Sequence, residues 1–410
     1  MKLRHARIVP LILFIVALIS RVTTAAILLH SHGQALFYQG NEPSYIASHI
    51  AAGEGFSSPY ENTPIAPTAQ QPPLYPALIA AVFWIFGSFS VRSLWTLLAI
   101  HSIAGAATAV LIYACGAQYF TRRIGLFAAC FWILWPYESL FDAPIAIYGL
   151  SALVVSLWFL VSPRILAESN SNRDWVLLGV GGGLALLLNP TLAPAFLASC
   201  VWVRWRENVT RRVLIAGAAV LMVLAPWTIR NYRYFHRFIP LRDTLGAQMY
   251  AGNQPGMTGE EKFGDDFPSH NPLQFSQLGE IKYMDLKKAA AFDFICHDPK
   301  SFLRRTAKRT LDFWVSPGFI PWGVVSILAW TGTGILLLHE GKRRIGIFLL
   351  LVFLLFPVVY YISRFWTVYR HPIDPLMLLA AFFAIEHLSQ PRSKRSDLGK
   401  PDSHLHMEHS

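Results

Sequence analysis

The chain has 410 residues, of which 54% are hydrophobic and only 14% are charged, and its mean hydropathy is +0.39. A soluble fold of this length could not bury so much apolar surface, so the composition excludes a soluble globular protein and predicts a polytopic membrane protein. The formal net charge of +11 lies mainly in short basic clusters between apolar runs, which is typical of membrane orientation and argues against nucleic-acid binding.

The N-terminal sequence MKLRHAR precedes an apolar run of about twenty residues without a small-residue cleavage site, which predicts a retained signal-anchor. Nine further apolar runs are long enough to cross a bilayer. The ten predicted spans lie near 8–30, 94–117, 123–140, 145–163, 174–190, 191–203, 212–229, 317–338, 345–363 and 373–388.

The loop after the first span is unusual in its charge. Residues 36–75 contain no Lys or Arg but hold three carboxylates, Glu42, Glu54 and Glu61. An acidic loop beside a membrane span in a basic protein indicates a reaction site. A helix starting near Pro43 would place Glu42 and Tyr45 on one face. The alternative is that Glu42 only stabilises the N-terminus of that helix.

The apolar run 74–90 decides the orientation of the rest of the chain. If it does not cross the membrane, all the short basic clusters fall on the side of the N-terminus. The short loops on the opposite side, 31–73, 136–146 and 188–192, then contain no Lys or Arg. The positive-inside rule therefore predicts that 74–90 does not cross and that both termini are cytoplasmic.

Other charged residues on the outer side are candidates for substrate binding. Glu138 and Asp142 are four residues apart and would share one face of a helical turn, although such a pair can also be a hydrated span end. Arg230 and Arg370 could bind a lipid phosphate, or could only reach the headgroup layer. Arg21 lies within the first span, where pairing with an interior carboxylate is expected.

Histidines and cysteines give no metal-site or disulfide pattern in the sequence. His49, His297 and His371 have no mutual spacing typical of a metal site, and we interpret them as surface or packing residues. Three of the four cysteines lie in apolar runs. The cysteines are Cys115, Cys130, Cys200 and Cys296.

The predicted fold is an all-α bundle of about ten transmembrane helices, with juxtamembrane helices in the first external loop and a mixed external domain between spans 7 and 8. The pattern of residues 276–312 predicts two amphipathic helices separated at 297–299. The predicted units are an N-terminal membrane module at 1–229 with its first-loop site at 31–93, an external loop domain at 230–316, a C-terminal membrane module at 317–390, and a disordered cytoplasmic tail at 391–410.

The order of several loose motifs resembles the GT-C glycosyltransferases, specifically the protein O-mannosyltransferase and aminoarabinose-transferase group, family 39. These motifs are FYQGNEPSYIASHIAAGEGF, QPPLYPALIAAVFWIFG, APWTIRNYRYF, GNQPG and YRHPIDPLMLLAAF. The resemblance covers most of residues 8–388 and implies a GT-C-like bundle with its active site on the external side.

The resemblance also implies roles for first-loop residues. An Asp-Glu pair of the family falls on Asn41 and Glu42, so the Asp is replaced and Glu42 would have to act as the catalytic carboxylate. A Lys that often precedes Pro-Pro-Leu is replaced by Gln71. Tyr45, Gln71 and Tyr75 are assigned to substrate binding. The related oligosaccharyltransferases hold a divalent cation with an acidic motif in the second external loop, but the mannosyl and aminoarabinose branches are not generally regarded as needing one, so no metal or other cofactor is expected.

The functional hypothesis is an inverting glycosyltransferase of the bacterial inner membrane. It would transfer a sugar from a polyprenyl-phosphate-linked donor to a protein, lipid or glycan acceptor of the cell envelope on the periplasmic side. One alternative is a transporter or flippase of lipid-linked saccharides, although most interior spans lack charge and no internal repeat is visible. Another is a non-catalytic relative that binds a lipid-linked sugar, which the replacements at Asn41 and Gln71 leave open.

Overall fold

The computed structural model describes residues 2–33, 42–61, 63–142, 145–204, 207–254, 272–316 and 320–390. Within these ranges the chain is helical, and the β pairing is confined to an isolated antiparallel bridge between Ser57 and Pro67. Helices are expected because a bilayer offers no partner for backbone polar groups, which must therefore bond within each segment. The all-helical membrane fold that the sequence predicts is confirmed.

The α-helices are numbered here in chain order. They are α1 Lys2–His32, α2 Glu42–Ala51, α3 Leu74–Phe86, α4 Val91–Tyr119, α5 Arg122–Leu134, α6 Pro136–Asp142, α7 Tyr148–Glu168, α8 Asn172–Leu188, α9 Ala193–Ala198, α10 Val209–Phe235, α11 Leu245–Gly252, α12 Pro272–Leu278, α13 Glu280–His297, α14 Pro299–Val315, α15 Ile320–Leu338, α16 Arg343–Leu355, α17 Val358–Ile362 and α18 Asp374–Ser389. Short 3₁₀ segments lie at Pro190–Leu192, Ser199–Trp202, Glu340–Lys342 and Thr367–Ile373.

Seven helical segments among the described residues are long and apolar enough to cross a membrane, or eight if α5 and α6, bent by 68°, form one broken span. The predicted count of ten is not confirmed. Of the two remaining predicted spans, 174–190 corresponds to α8, a helix of 17 residues, and 191–203 is divided between α9 and two 3₁₀ segments. Pro190 and Pro194 each remove a backbone donor there, which interrupts a continuous helix.

Helix α3 corresponds to the run 74–90, on which the predicted orientation depends. It has 13 residues, and at 1.5 Å per residue it is about 20 Å long, shorter than a hydrocarbon core of about 30 Å. It packs against α2 and α4. Its length agrees with the prediction of a juxtamembrane helix in the first loop.

Helix α18 packs against α4, α5, α7 and α15, and its residues from Leu376 to Ala381 are all buried. A helix that is apolar on all sides is expected at the centre of such a bundle. Helix α10 has the opposite environment, because only 11% of its most apolar stretch is buried within the protein. It packs against α8, where Gly179 and Gly183 leave no room for a side chain.

The described residues between α10 and α15 form helices α11 to α14, and residues 236–244 before them are not helical. Helices α13 and α14 are separated at His297–Pro299 as predicted, and the Asp298 side chain accepts a hydrogen bond from the Ser301 backbone. The fully buried Arg309 of α14 donates hydrogen bonds to the carbonyl oxygens of Gly252, at 2.8 Å, and of Ser363. This arginine therefore ties α14 to the end of α11 and to the segment after α17.

The loop between α2 and α3 is held by two of these later helices. Arg230 of α10 donates to the carbonyl oxygens of Phe56, at 2.7 Å, and Thr68, at 2.6 Å. Glu280 of α13 accepts hydrogen bonds from the Thr68 hydroxyl, at 2.5 Å, and the Ala69 backbone, at 2.7 Å. The first loop and the polar segment after α10 therefore pack on the same side of the bundle.

Candidate active site

A cavity of about 570 Å³ lies where the first loop meets α7, α11 and the segment after α16. Its volume is within the range of about 300–1,000 Å³ typical of small-molecule sites. Charged and polar residues on its wall include Glu42, Gln70, Gln71, Asn189, Thr191, Arg242, Thr244, Gln248, Ser363 and Arg364. Apolar and aromatic residues on its wall include Tyr75, Ile145, Tyr148, Leu355, Phe356, Val359, Tyr360, Trp366 and Tyr369.

Glu42 is the carboxylate that lines this cavity among the described residues, and it is the first residue of α2. Burial raises the pKa of Glu42, while a hydrogen bond to its own backbone and the positive charges of Arg242 and Arg364 act in the opposite direction. A carboxyl group with a raised pKa is a stronger base once it is ionised. The structure therefore places the predicted first-loop carboxylate in an environment suited to accepting a proton.

Two arginines of the cavity were missed by the sequence analysis. Arg242 follows α10, and its Nε donates to the Thr244 hydroxyl at 2.7 Å. Arg364 follows α17, and its guanidinium carbon lies 4.3 Å from the ring centroid of Trp366. The chain carries 35 Lys and Arg residues, and no local pattern distinguishes these two from the others. Only the fold brings them beside Glu42.

Aromatic rings form one wall of the cavity. The rings of Tyr360 and Tyr369 stack with centroids 4.8 Å apart, and Tyr148 lies 5.6 Å from Tyr369. Tyr60 adds a hydroxyl that donates to the side-chain oxygen of Gln70, and burial raises the pKa of Tyr60 well above its ordinary value. Such a wall offers flat apolar faces together with hydroxyl groups.

The predicted first-loop residues fall into three groups. Gln71 and Tyr75 line the cavity with Glu42, and the Tyr75 hydroxyl lies 3.0 Å from Nε2 of His101. Tyr45 does not line it, because its hydroxyl donates to Glu61 at 3.2 Å. Asn41 lies outside the residues that the structure describes.

Arg230, a predicted phosphate ligand, does not line the cavity. Besides its bonds to the Phe56 and Thr68 carbonyls, its guanidinium lies against the rings of Trp227, at 5.0 Å, and Tyr234, at 4.8 Å. This set of contacts positions the first loop.

The other predicted residues, Glu138, Asp142 and Arg370, lie together in a buried charged cluster outside the cavity. Asp142 pairs with Arg21 at 2.7 Å, which agrees with the interior partner expected for that arginine. Arg370 pairs with Asp374 at 2.8 Å. As predicted, Glu138 and Asp142 lie on one face of a short helix, α6.

His371 is also part of this cluster and is fully buried, so the surface alternative does not apply to it and the packing alternative does. Its Nε2 lies 2.9 Å from Asp142 and its Nδ1 lies 2.8 Å from Glu138. Its ring also stacks on Trp132, with centroids 4.8 Å apart. Among the described residues, Glu138, His371 and Asp374 are the group whose potential ligand atoms, all within 4.8 Å of one another, could hold a metal ion.

Comparison with known proteins identifies relatives of the chain. Residues 70–229 match the family described as dolichyl-phosphate-mannose-protein mannosyltransferase. No curated protein matches the sequence.

Among solved structures, AglB is similar in fold, and ArnT gives a weaker match. The archaeal oligosaccharyltransferase AglB from Archaeoglobus fulgidus, in complex with an inhibitory peptide and a dolichol-phosphate, is 14% identical, with a TM-score of 0.50; the match covers 92% of this chain and 50% of that one. ArnT from Cupriavidus metallidurans, in the apo state, is 13% identical, with a TM-score of 0.36, over 89% of this chain and 76% of that one. This chain spans about half the length of AglB. The likeness to AglB shows a shared fold, and the family match over residues 70–229 agrees with the predicted resemblance.

Proposed function

We propose that this chain is a membrane glycosyltransferase whose cavity binds a polyprenyl-phosphate-linked sugar donor. The family match over residues 70–229 and the fold shared with AglB support the predicted enzyme class. The AglB structure contains a dolichol-phosphate, which is the same chemical class as the proposed donor.

The observation that carries the proposal is that, among the described residues, one carboxylate and two arginines line a cavity rich in apolar surface. Glu42 is close enough to Arg242 and Arg364 for both positive charges to lower its pKa. A lipid-linked sugar phosphate needs cationic groups for the phosphate, a base near the sugar and an apolar surface for the isoprenoid chain. Leu355, Phe356 and Val359 supply apolar surface in the same cavity.

These positions correspond to a single displacement step. The acceptor nucleophile loses its proton to Glu42 as it attacks the anomeric carbon, and the bond between that carbon and the phosphate oxygen breaks with inversion. The departing phosphate gains negative charge, which Arg242 and Arg364 stabilise through charge-assisted hydrogen bonds. This assignment replaces Arg230 and Arg370, whose guanidinium groups contact other parts of the protein.

The proposed setting is the periplasmic side of a bacterial inner membrane, with both termini in the cytoplasm. The absence of Lys and Arg from the short outer loops supports this orientation. The acceptor would be a protein, lipid or glycan of the cell envelope.

The experiment is donor turnover by the purified protein in detergent or nanodiscs, measured as release of polyprenyl phosphate. We expect Glu42→Gln to reduce the rate by a factor of about 100 or more, since it removes the base and keeps the size of the side chain. Glu54→Gln is the matched control, because Glu54 belongs to the same loop but pairs with His49 outside the cavity.

An undiminished rate for Glu42→Gln would remove Glu42 from the catalytic role. Donor binding by the wild-type protein without any release, in the presence of envelope extract as a source of acceptor, would contradict the enzyme and favour a non-catalytic lipid-sugar-binding protein.

A further inference from the structure

The buried charged cluster beside the cavity has an unusual composition. Arg21 of α1, Glu138 and Asp142 of α6, and Arg370, His371 and Asp374 at the start of α18 are at most 2% exposed. We call these six residues the α6–α18 cluster. None of them lines the cavity, so the proposed transfer reaction leaves their role unexplained.

Three buried side-chain atoms of the α6–α18 cluster face one another, all within 4.8 Å. They are Oε2 of Glu138, Nδ1 of His371 and Oδ2 of Asp374. Nδ1 of His371 lies 2.8 Å from Oε2 of Glu138 and 3.9 Å from Oδ2 of Asp374. Buried polar atoms rarely lack partners, and each such atom costs free energy. The oxygen Oδ2 of Asp374 has no hydrogen-bond partner, and it lies beside the Glu138–His371 pair, so the three groups form a candidate ligand set.

The imidazole of His371 and the carboxylate of Asp374 also contact neighbouring residues through their second polar atom. Nε2 of His371 lies 2.9 Å from Oδ1 of Asp142, and the other oxygen of Asp142 accepts from Arg21 at 2.7 Å. The second oxygen of Asp374 accepts from Arg370 at 2.8 Å. Metal-binding histidines commonly donate their other ring nitrogen to a carboxylate, which fixes the tautomer and the ring orientation. The α6–α18 cluster has this arrangement.

The cluster holds three carboxylates, Glu138, Asp142 and Asp374, and two guanidinium groups. With a neutral imidazole the cluster is therefore net negative, and uncompensated charge is costly in a buried site. Binding of a cation beside Glu138, His371 and Asp374 is electrostatically favoured in that state.

We propose that Glu138, His371 and Asp374 bind a divalent transition-metal cation of the Zn²⁺ or Mn²⁺ class. One imidazole nitrogen and two carboxylate oxygens are a ligand set that suits these ions, whereas Mg²⁺ and Ca²⁺ prefer oxygen ligands alone. The site is new with respect to the metal-independent chemistry that the family resemblance implies. It does not depend on the proposed transfer activity.

The cation would join α6 to the start of α18. Tyr369, next to Arg370, and the residues from Ile145 to Tyr148, just beyond α6, belong to the cavity wall. The metal would therefore be a structural ion that fixes the positions of these wall residues, without contact with the donor.

The test is the metal content of the purified wild-type protein, measured by inductively coupled plasma mass spectrometry after gel filtration in metal-free buffer. We expect about one equivalent of Zn or Mn per chain, and a thermal midpoint that falls on chelation and recovers when Zn²⁺ or Mn²⁺ is added. X-ray absorption should show one imidazole, oxygen ligands and no sulfur. These measurements need no variant and no activity.

Substitutions then locate the site. Glu138→Gln and Asp374→Asn should each lower the metal content by a factor of about ten or more. Glu280→Gln should leave it unchanged, because Glu280 is a buried carboxylate that bonds to Thr68 and Ala69 instead. Wild-type protein with less than about one tenth of an equivalent of metal, and no thermal shift with either ion, would overturn the proposal. His371 would then be an imidazolium between Glu138 and Asp142. Metal retained by both variants would also overturn it.

Discussion

At Glu42, burial and two arginines act on one carboxyl group in opposite directions. Burial raises the pKa above the ordinary value of 4.5, and Arg242 and Arg364 oppose the rise. A base must be ionised to accept a proton, so the transfer rate should fall as the pH drops through this raised pKa. We expect the acidic limb of kcat/KM to lie above pH 4.5.

Arg364→Gln tests this coupling. Loss of the positive charge should raise the pKa of Glu42 further and move the acidic limb to higher pH by about 0.5–1 unit. The measurement is the pH dependence of donor turnover. Arg237→Gln is the control, because Arg237 pairs with Asp285 at the surface. A limb at the same pH in wild type and Arg364→Gln would contradict the role of Glu42 as the base.

Glu280 gives a second pH dependence, in stability. Burial raises its pKa to about 8 from 4.5, although hydrogen bonds from Thr68 and Ala69 act to lower it. The folded state therefore favours the protonated form relative to the unfolded state. This contribution is fully present below pH 4.5 and is lost as the pH rises to about 8.

As the pH rises between these values, we expect the free energy of unfolding of wild type to fall relative to that of Glu280→Gln. The fall should reach up to roughly 5 kcal/mol for a pKa shift of this size. Thermal midpoints across the pH range, and amide exchange at Ala69, would measure it. Parallel pH curves for the two proteins would show that Glu280 has an ordinary pKa and that the loop contact does not depend on its protonation.

At the scale of the helices, Gly105 lets α4 approach the Arg21–Asp142 ion pair. A Cβ atom at this position would overlap both Nε of Arg21 and Oδ2 of Asp142. We expect Gly105→Ala to lower the free energy of unfolding by about 1–3 kcal/mol or more, since a buried ion pair must move. Its thermal midpoint should drop, and the bound metal should be lost with it.

Gly181→Ala is the matched control, because open space surrounds that position in α8 and the change is favourable for a helix. A Gly105→Ala protein as stable as wild type would contradict the close packing of α4 on the Arg21–Asp142 pair.

At the scale of the whole molecule, contacts place the first loop and the segment after α10 on one side of the bundle. Glu280 of α13 and Arg230 of α10 both bond to the loop between α2 and α3. The proposed orientation makes this side periplasmic. Cys296, exposed on α13, is a native probe of it.

In a variant that keeps Cys296 and lacks the other three cysteines, we expect a membrane-impermeant maleimide added to intact spheroplasts to label the protein. A cysteine at Glu54 in a cysteine-free background should be labelled equally. One at Ser171, in the exposed turn between α7 and α8, should be labelled only after the membrane is opened. Labelling of Ser171→Cys in intact spheroplasts would contradict the proposed orientation.

Local patterns in the sequence determined the membrane class and the helical character, and they predicted a site in the first loop. Apolar run length and charge placement are properties of neighbouring residues, and a bilayer leaves the helix as the form that such runs take. Glu42 was predicted from the charge of its loop, and Gln71 and Tyr75 were predicted from the family resemblance; all three line the cavity.

Tertiary structure alone decided which charges meet. Arg242 and Arg364 come from different segments of the chain, and His371 contacts Asp142 across 229 residues. It also decided that Arg230 and Arg370 contact protein groups outside the cavity. The physical reason is that a buried charge is stable only beside a partner. The partner of each residue depends on how the helices pack, and this packing cannot be inferred from the spacing of residues along the sequence.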